Sequence, residues 1–382
     1  LIEKVSNTYR NAFGGKYIVT RAPGRVNIIG EHTDYNEGFV LPAAIDKAAF
    51  AGAGKREDTT IKLFSEAFSE FFECDLRNLA PTGKGWPNYI LGVADQMVRR
   101  GYTISGFNLV LDADVPIGSG MSSSAAIECA TAIALNELFK LEIPKKELAL
   151  ISQKAEHTFA GVMCGIMDQF ASIFGKKDHV IKLDCRTLEY EYEPFKLDGI
   201  SILLLNTNVS HSLAGSEYNV RRQQCEEGVA IINKAGNAVK SLRDVNMEML
   251  KKYVEPANAE IYRRCKYVVE ENARLLSGCE DLKKGDIISL GKKMFATHAG
   301  LSKEYNVSCP ELDFLVDFLK NKPEVLGARM MGGGFGGCTI NLVKENSIEG
   351  LLNEISPVYF DKFGKELTPY IAKVEDGAGV VT

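Results

Sequence analysis

The sequence predicts an α+β fold in two lobes, with the boundary near residue 190. A chain of 382 residues is long enough for two or three domains. Hydrophobic residues make up 45% of it and charged residues 25%, which is typical of a folded globular protein. Strand and helix patterns alternate irregularly, unlike the βα repeats of a doubly wound parallel sheet. We therefore expect one lobe over residues 1–190 and a second over residues 191–382.

In the first lobe, clusters of Gly and Pro separate the periodic segments. Short apolar runs predict strands at Tyr17–Arg21, Ala48–Ala53, Ile61–Phe64 and Phe107–Asp112. Helical periodicity and Ala- and Leu-rich composition predict helices at Trp86–Arg99, Ser122–Phe139 and Lys145–Phe159.

Further strands are predicted at Val180–Leu183, Leu188–Glu193 and Ile200–Asn206. Three helical segments follow, at about Glu217–Lys234, Ala257–Leu276 and Asp286–Tyr305. Strand patterns return at Val325–Met331 and Thr339–Val343.

Charge and apolar patterning exclude several classes of protein. A net charge of -5 disfavours a broad surface for nucleic acid or anionic membranes. The longest apolar stretches, such as Ala125–Leu135, are shorter than the roughly 18–20 residues of a transmembrane helix, and the N-terminal residues do not resemble a secretory signal. The nine cysteines are scattered without a C-x-x-C pair, which favours reduced thiols over disulfides or zinc. We expect a cytoplasmic protein that binds neither nucleic acid nor membrane.

The segment PIGSGMSSSAA, residues 116–126, follows a predicted strand and opens a helix. Gly118 and Gly120 allow close approach to a ligand, and the unpaired N–H groups at the helix start attract anions. A Ser hydroxyl there could also bind Mg²⁺. A simple capped helix after a Gly-rich turn is the competing interpretation. The segment is neither a Walker A loop, since no Lys follows it, nor a Rossmann loop, since Ser123 stands at the third Gly position.

The N-terminal segment RAPGRVNIIGEHTDYNEG, residues 21–38, is dense in polar groups. Glu31, His32 and Asp34 lie within four residues, and carboxylates with an imidazole suit the recognition of vicinal hydroxyls. One His and two acids without a second His make a sparse metal site. A solvated turn is the simpler alternative, because Asp, Asn and Gly favour turns.

Four motifs together resemble one family. GRVNIIGEHTDYNEG is similar to the galactokinase signature, and PIGSGMSSSAA resembles the ATP loop of the GHMP small-molecule kinases. GIMDQF and MMGGGFGGC resemble two further motifs of that superfamily, and all four occur in family order. The resemblance implies an N-terminal lobe like the second domain of ribosomal protein S5 and a ferredoxin-like C-terminal lobe. It places the active site in the cleft between them.

The resemblance also implies an activity, transfer of the γ-phosphoryl group of ATP to the anomeric hydroxyl of α-D-galactose with Mg²⁺. It implies that Asp168 is the catalytic base and that Arg25 lies beside it. Metal ligands are implied at Ser124 and Glu156. Sugar contacts are implied at Glu31, His32, Thr33, Asp34, Gly165 and Tyr218. Nucleotide contacts are implied at Ser65, Trp86, Gly118, Ser119, Gly120, Met121, Ser122, Ser123 and Ser124.

Taken without the family, several of these residues have simpler interpretations. Asp168 could cap the following helix, and Arg25 could pair with a surface acid. Glu156 could be a solvated helical residue, and Tyr218 a packing residue. The five glycines within residues 332–337 indicate either close backbone packing or a flexible turn.

Two other functions remain open from the sequence. One is a kinase of another sugar of similar shape, such as N-acetylgalactosamine or arabinose, and a larger 2-substituent would require additional room in the site. A non-catalytic galactose and ATP sensor would lack an intact phosphate loop, whereas the Ser run here is uninterrupted. We expect a monomer whose partners are galactose and ATP.

Overall fold

The computed structural model describes residues 1–209 and 214–381. In chain order its strands are β1 (Ile18–Asn27), β2 (Phe39–Val40), β3 (Pro42–Lys55), β4 (Thr60–Ser65), β5 (Glu70–Asp75), β6 (Phe107–Ala113), β7 (His179–Asp184), β8 (Tyr190–Pro194), β9 (Ile200–Asn206), β10 (Val325–Met330), β11 (Cys338–Lys344), β12 (Thr368–Ala372) and β13 (Gly379–Val380). Its α-helices are α1 (Ile2–Ala12), α2 (Trp86–Arg99), α3 (Ser123–Phe139), α4 (Lys145–Ala155), α5 (Met167–Phe174), α6 (Ala214–Lys234), α7 (Met247–Met249), α8 (Ala259–Lys283), α9 (Ile287–Gly300), α10 (Pro310–Lys320) and α11 (Ile348–Phe363).

The strands form three sheets. A six-stranded sheet has the order β13-β1-β3-β6-β4-β5, and its β4–β6 pair is parallel whereas its other pairs are antiparallel. A four-stranded antiparallel sheet has the order β10-β11-β9-β12, and a small antiparallel sheet has the order β2-β7-β8. The mixed α+β architecture is as predicted. The lobe boundary near residue 190 stays a prediction, and the late strand β13 pairs with β1 of the first sheet.

The main core lies where helices α3 and α5 pack on strands β1 and β3. Helix α3 is apolar nearly all round, with Ala125, Ala126, Ala130 and Ala134 fully buried. Small side chains allow helix and sheet backbones to approach closely, and a helix without a polar face is expected to be buried. This packing fixes the start of α3, which includes Ser123 and Ser124, against β1.

Some elements have the predicted bounds and one predicted helix changes type along its length. The segments Trp86–Arg99 and Ile200–Asn206 have the predicted bounds. The helix predicted over Lys145–Phe159 changes at Glu156, where a π-helical turn over Glu156–Ala160 follows α4. Such turns are rare and often lie at functional sites.

Among the described residues, no helix is both long and apolar enough to span a membrane.

Candidate active site

A cleft of about 250 Å³ lies between the turn after β1, the start of α5 and the Gly-rich loop after β10. Residues predicted from separate motifs meet on its walls, namely Arg25, Glu31, His32, Asp34, Glu156, Asp168 and Tyr218. Arg25 and Asp168 are 143 residues apart in the sequence, so the fold itself assembles the site.

Asp168 and Arg25 form a bidentate ion pair on the cleft wall. Arg25 Nε donates to Asp168 Oδ1 at 2.8 Å, and Arg25 Nη2 donates to Oδ2 at 2.7 Å. The β1–β3 register shifts between Pro23 and Arg25, and such irregularities turn a side chain out of its expected direction. Burial opposes the charged form of Arg25, but the charges of Asp168 and Glu31 outweigh it and raise its pKa. Arg25 therefore does not form the ion pair with a surface acid that its residue type alone allowed.

Two serine hydroxyls of the phosphate loop, those of Ser122 and Ser124, donate to acids instead of capping α3. Ser122 is the residue before α3, yet its side chain makes no capping hydrogen bond and donates to Asp168 Oδ2 at 2.6 Å. Ser124 Oγ donates to Glu156 Oε1 at 2.9 Å. Asp168 also caps nothing, since it lies inside the first turn of α5. The capping interpretations of the Ser run and of Asp168 are both wrong, because these polar groups are used in the cleft.

Glu156 is buried and is not a solvated helical residue. Its Oε2 accepts a hydrogen bond from Gln169 Nε2 at 2.7 Å, and the same amide nitrogen donates to Glu128 Oε2 at 3.0 Å. Burial raises the pKa of Glu156 to about 7, and the charge of Asp168 adds to this shift. A buried carboxylate next to another acid is an environment that favours a cation.

The signature turn, residues 28–38 between β1 and β2, places two titratable groups, His32 and Asp34, beside Asp168. Burial lowers the pKa of His32 to about 4, so the imidazole is neutral at pH 7. His32 Nδ1 lies 2.7 Å from Tyr35 Oη, and the buried Nε2 has no hydrogen-bond partner in the described residues. Burial raises the pKa of Asp34 to about 7, and the nearby charge of Asp168 contributes. Both groups are available to a polar ligand in the cleft.

Gly165 lies directly against Asp34. A Cβ atom on Gly165 would overlap the Asp34 carboxylate, so a side chain at this position would displace Asp34. Tyr218 completes this side of the cleft, with its ring centroid 5.3 Å from that of His32 and 5.2 Å from that of Tyr35.

The Gly-rich loop packs on the phosphate loop by backbone contact. Gly332 has φ +80°, and a Cβ atom there would lie 3.3 Å from the Cα atom of Gly120. Gly337 has φ +77° and lies against the carbonyl of Ser119 in the same way. The prediction of close backbone packing by these glycines is confirmed.

Several predicted ligand-binding residues are not among those that line this cleft, and four of them make other contacts. Thr33 is buried and its Oγ1 donates to Gly30 O at 2.9 Å, which closes the turn. The side chain of Met121 lies in the main core, but its carbonyl accepts a hydrogen bond from Arg25 N at 3.0 Å. Ser65 and Trp86 lie outside this cleft, and both are neighbours of Glu70. Glu70 is the cross-strand partner of Ser65 in the sheet, and its carboxylate accepts a hydrogen bond from Trp86 Nε1 at 3.0 Å. Their assignments to the sugar and the nucleotide stay predictions.

The sequence motifs do not identify three residues that bind the signature turn from β10 and α8. Arg329 of β10 pairs with Glu31 at 3.1 Å. Helix α8 contributes Tyr267, whose hydroxyl donates to Glu31 O at 3.0 Å, and Glu271, which accepts from Gly30 N at 2.7 Å. A charged residue within the apolar strand pattern VLGARM was the available signal for Arg329.

Comparisons with known proteins agree with this geometry. The family model of the galactokinase galactose-binding signature matches residues 7–55. The models of the GHMP kinases N terminal domain and the GHMP kinases C terminal domain match residues 88–176 and 280–359. A galactokinase of Thermotoga neapolitana is 46% identical over 94% of this chain and 98% of its own length. A galactokinase of Fusobacterium nucleatum is 42% identical over 100% of both chains.

Solved structures show the same fold. The crystal structure of Lactococcus lactis galactokinase complexed with galactose superposes with a TM-score of 0.95 at 34% identity, covering 100% of both chains. A mevalonate kinase structure shares the fold, with a TM-score of 0.66 at 19% identity over 95% of this chain and 100% of its own. From the sequence motifs, the cleft and these relatives, we conclude that the chain belongs to the galactokinase family of the GHMP kinases.

Proposed function

We propose that this sugar kinase transfers the γ-phosphoryl group of ATP to the C1 hydroxyl of α-D-galactose, giving galactose 1-phosphate and ADP. The observation that carries this proposal is the Asp168 carboxylate on the cleft wall, held by Arg25 and Ser122 and still partly accessible. The structural relative from Lactococcus lactis is a galactokinase complexed with galactose, which supports galactose as the acceptor.

Asp168 is the proposed proton acceptor. The C1 hydroxyl gives its proton to an Asp168 oxygen while its own oxygen attacks the γ-phosphorus, and the bond from that phosphorus to the bridging oxygen of ADP breaks. A carboxylate accepts about four hydrogen bonds, and Asp168 receives three from Arg25 and Ser122. One position thus remains for the sugar hydroxyl.

Arg25 is the proposed electrostatic partner of this step. Its guanidinium keeps a compensating charge beside Asp168, and it lies where negative charge moves during phosphoryl transfer. Its Nη1 also donates to the Gly120 carbonyl, which ties the catalytic pair to the phosphate loop. Such a set works mainly by alignment and electrostatics.

The sugar side of the cleft is assigned to Asp34, His32, Tyr218 and Gly165. Ionised Asp34 accepts hydrogen bonds from hydroxyls, and neutral His32 offers a free ring nitrogen. The absence of a side chain at Gly165 leaves Asp34 in place and its own N–H open to the sugar.

The phosphate side is assigned to residues 118–124, with Ser124 and Glu156 as the groups that would hold Mg²⁺. The described residues contain no cluster of three or more His, Cys, Asp and Glu side chains suited to a metal. Two protein oxygens nevertheless fit Mg²⁺, which is commonly bound by one or two protein groups together with substrate phosphates and water. When bound, the ion would neutralise charge on the ATP phosphates.

We extend the proposal to a monomeric, cytoplasmic enzyme with two lobes that meet near residue 190. The scattered cysteines, all nine of which are free in the described residues, support a reducing compartment.

The test is ADP release by the purified chain with galactose, glucose, arabinose and N-acetylgalactosamine, each with and without Mg²⁺. We expect rapid ADP release with galactose and Mg²⁺, and loss of it when the metal is removed. Faster turnover of another sugar would overturn the substrate assignment. Galactose binding without ADP release would indicate a sensor.

A further inference from the structure

Arg329 is the largest fully buried side chain among the described residues. It lies on β10, immediately before the Gly-rich loop, and its guanidinium has no contact with solvent. Burying an unpaired guanidinium is strongly unfavourable, so its partners identify the role that keeps it there.

All five N–H donors of Arg329 are used. Nε donates to Ile28 O at 2.7 Å, and one Nη1 hydrogen goes to Met330 O at 2.6 Å. The other Nη1 hydrogen and one from Nη2 go to Glu31 Oε1 at 3.2 and 3.1 Å. The last donor meets the Asn27 carbonyl. Most of these contacts fall on the segment 27–31, so one planar group fixes the path of the chain into the signature turn.

Glu31 passes this constraint to the cleft. Its Oε1 accepts Gly332 N–H at 2.8 Å in addition to the two Arg329 bonds, and its Oε2 accepts Asn27 Nδ2 at 3.1 Å. Three of these four bonds fall on Oε1, so the protein fully occupies that oxygen, while Oε2 keeps one acceptor position open. Gly332 begins the part of the Gly-rich loop that lines the cleft, and His32 follows Glu31 directly. Arg329 and Glu31 therefore connect two segments of the cleft wall, the signature turn and the Gly-rich loop.

We propose that Arg329 is a positioning residue for the sugar, acting through Glu31 to fix the spacing between the signature turn and the Gly-rich loop. The inference rests on the proposed galactokinase function. In this arrangement Oε1 of Glu31 holds the Gly-rich loop and the Arg329 fork, while Glu31 lines the cleft beside His32 and Asp34. A lysine at position 329 offers three donors from a single nitrogen and lacks the planar fork, so it cannot hold the same acceptors at once.

The test compares Arg329→Lys with Arg264→Lys in steady-state assays with galactose and ATP. Arg264 is also a buried arginine, but it contacts Glu260 and the Glu304 carbonyl away from the cleft. We expect Arg329→Lys to raise the galactose KM by about tenfold or more, with an ATP KM within about twofold of wild type. Arg264→Lys should lower the melting temperature and leave the galactose KM within about twofold.

An unchanged galactose KM in Arg329→Lys, or equal increases for both substrates, would overturn the proposal. If Arg329→Lys does not fold, Arg329→Gln replaces it, because it removes the fork, keeps an amide donor and changes no residue that lines the cleft, and the same criteria apply. Failure of both to fold beside a folded Arg264→Lys would show a purely structural role. Turnover of galactose by the wild-type and Arg264→Lys proteins reports on the proposed function separately.

Discussion

Two arginine–carboxylate pairs lie close together in this protein, and they differ in how exposed they are and in how many protein donors hold the acid. The Arg25 and Asp168 side chains are 6% and 21% exposed, and Asp168 accepts three hydrogen bonds. The Arg329 and Glu31 side chains are 0% and 2% exposed, and Glu31 accepts four. Asp168 is therefore a partly exposed acid with an open acceptor position, whereas Glu31 is a buried acid that the protein holds firmly through Oε1.

The difference shows how one residue type serves chemistry in one place and geometry in another. Both acids lie in family motifs, and both have an arginine partner. Burial would raise the pKa of Glu31, but the charges of Arg329 and Arg25 outweigh it and lower that pKa, so Glu31 stays ionised as a fixed acceptor. Asp168 also lines the cleft but is the more exposed of the two acids, and an incoming hydroxyl can complete its hydrogen bonds.

The largest expected effect follows from removing Asp168, the proposed proton acceptor of the Arg25–Asp168 pair. Asp168→Asn keeps the shape of the side chain but loses the base, so kcat should fall by about a thousandfold. Galactose affinity, measured by calorimetry without nucleotide, should stay within about threefold. Turnover within tenfold of wild type would remove Asp168 from its assigned role.

Arg25→Lys tests how the role of the Arg25–Asp168 pair differs from that of the Arg329–Glu31 pair. Lysine keeps the charge but cannot make the bidentate contact to Asp168, so we expect kcat to fall by about a hundredfold with little change in the galactose KM. Arg329→Lys should show the reverse pattern, a KM effect with a smaller change in kcat. If Arg25→Lys and Arg329→Lys change the same kinetic constant, the two pairs do not have separate roles in the chemical step and in sugar binding.

Gly165→Ala tests the sugar side without changing any polar group. The new methyl group would displace Asp34, so the galactose KM should rise at least about tenfold. Gly350→Ala is the matched control, since a Cβ atom there meets nothing within 4 Å and the residue lies in helix α11. A normal KM in Gly165→Ala would show that Asp34 does not need its present position.

The smallest effect concerns pH. The raised Asp34 pKa of about 7 means that the carboxylate becomes protonated as the pH falls through neutrality. An acceptor is then lost, so galactose affinity should fall about fivefold from about pH 7.5 to about pH 6.3. Asp34→Asn should bind galactose weakly with little pH dependence over this range. A wild-type affinity that does not change with pH would contradict the assigned role of Asp34.

Local patterns predicted the regular elements well where nothing interrupts them. The segment Trp86–Arg99 shows a helical apolar period and has the predicted bounds. Helix α11 was not predicted, and Pro357 lies within it, where proline usually argues against a helix. Helix α1 was also missed, because only a narrow apolar face with Val5 and Tyr9 is buried.

The motifs identified most of the cleft, but residue identity alone could not separate its supports from its chemical groups. Ser122 and Ser124 suited helix caps, and only the fold shows their hydroxyls at Asp168 and Glu156. Arg329 lies about three hundred positions from its partner Glu31, a contact that no local pattern encodes.

The most direct test of the central claim is a crystal structure of this chain with galactose and a non-hydrolysable ATP analogue. The account predicts the C1 hydroxyl oxygen within about 3.2 Å of an Asp168 carboxylate oxygen, with Glu31 still bound to Arg329 and Gly332. A different sugar hydroxyl at Asp168, or a C1 oxygen far from that carboxylate, would contradict it.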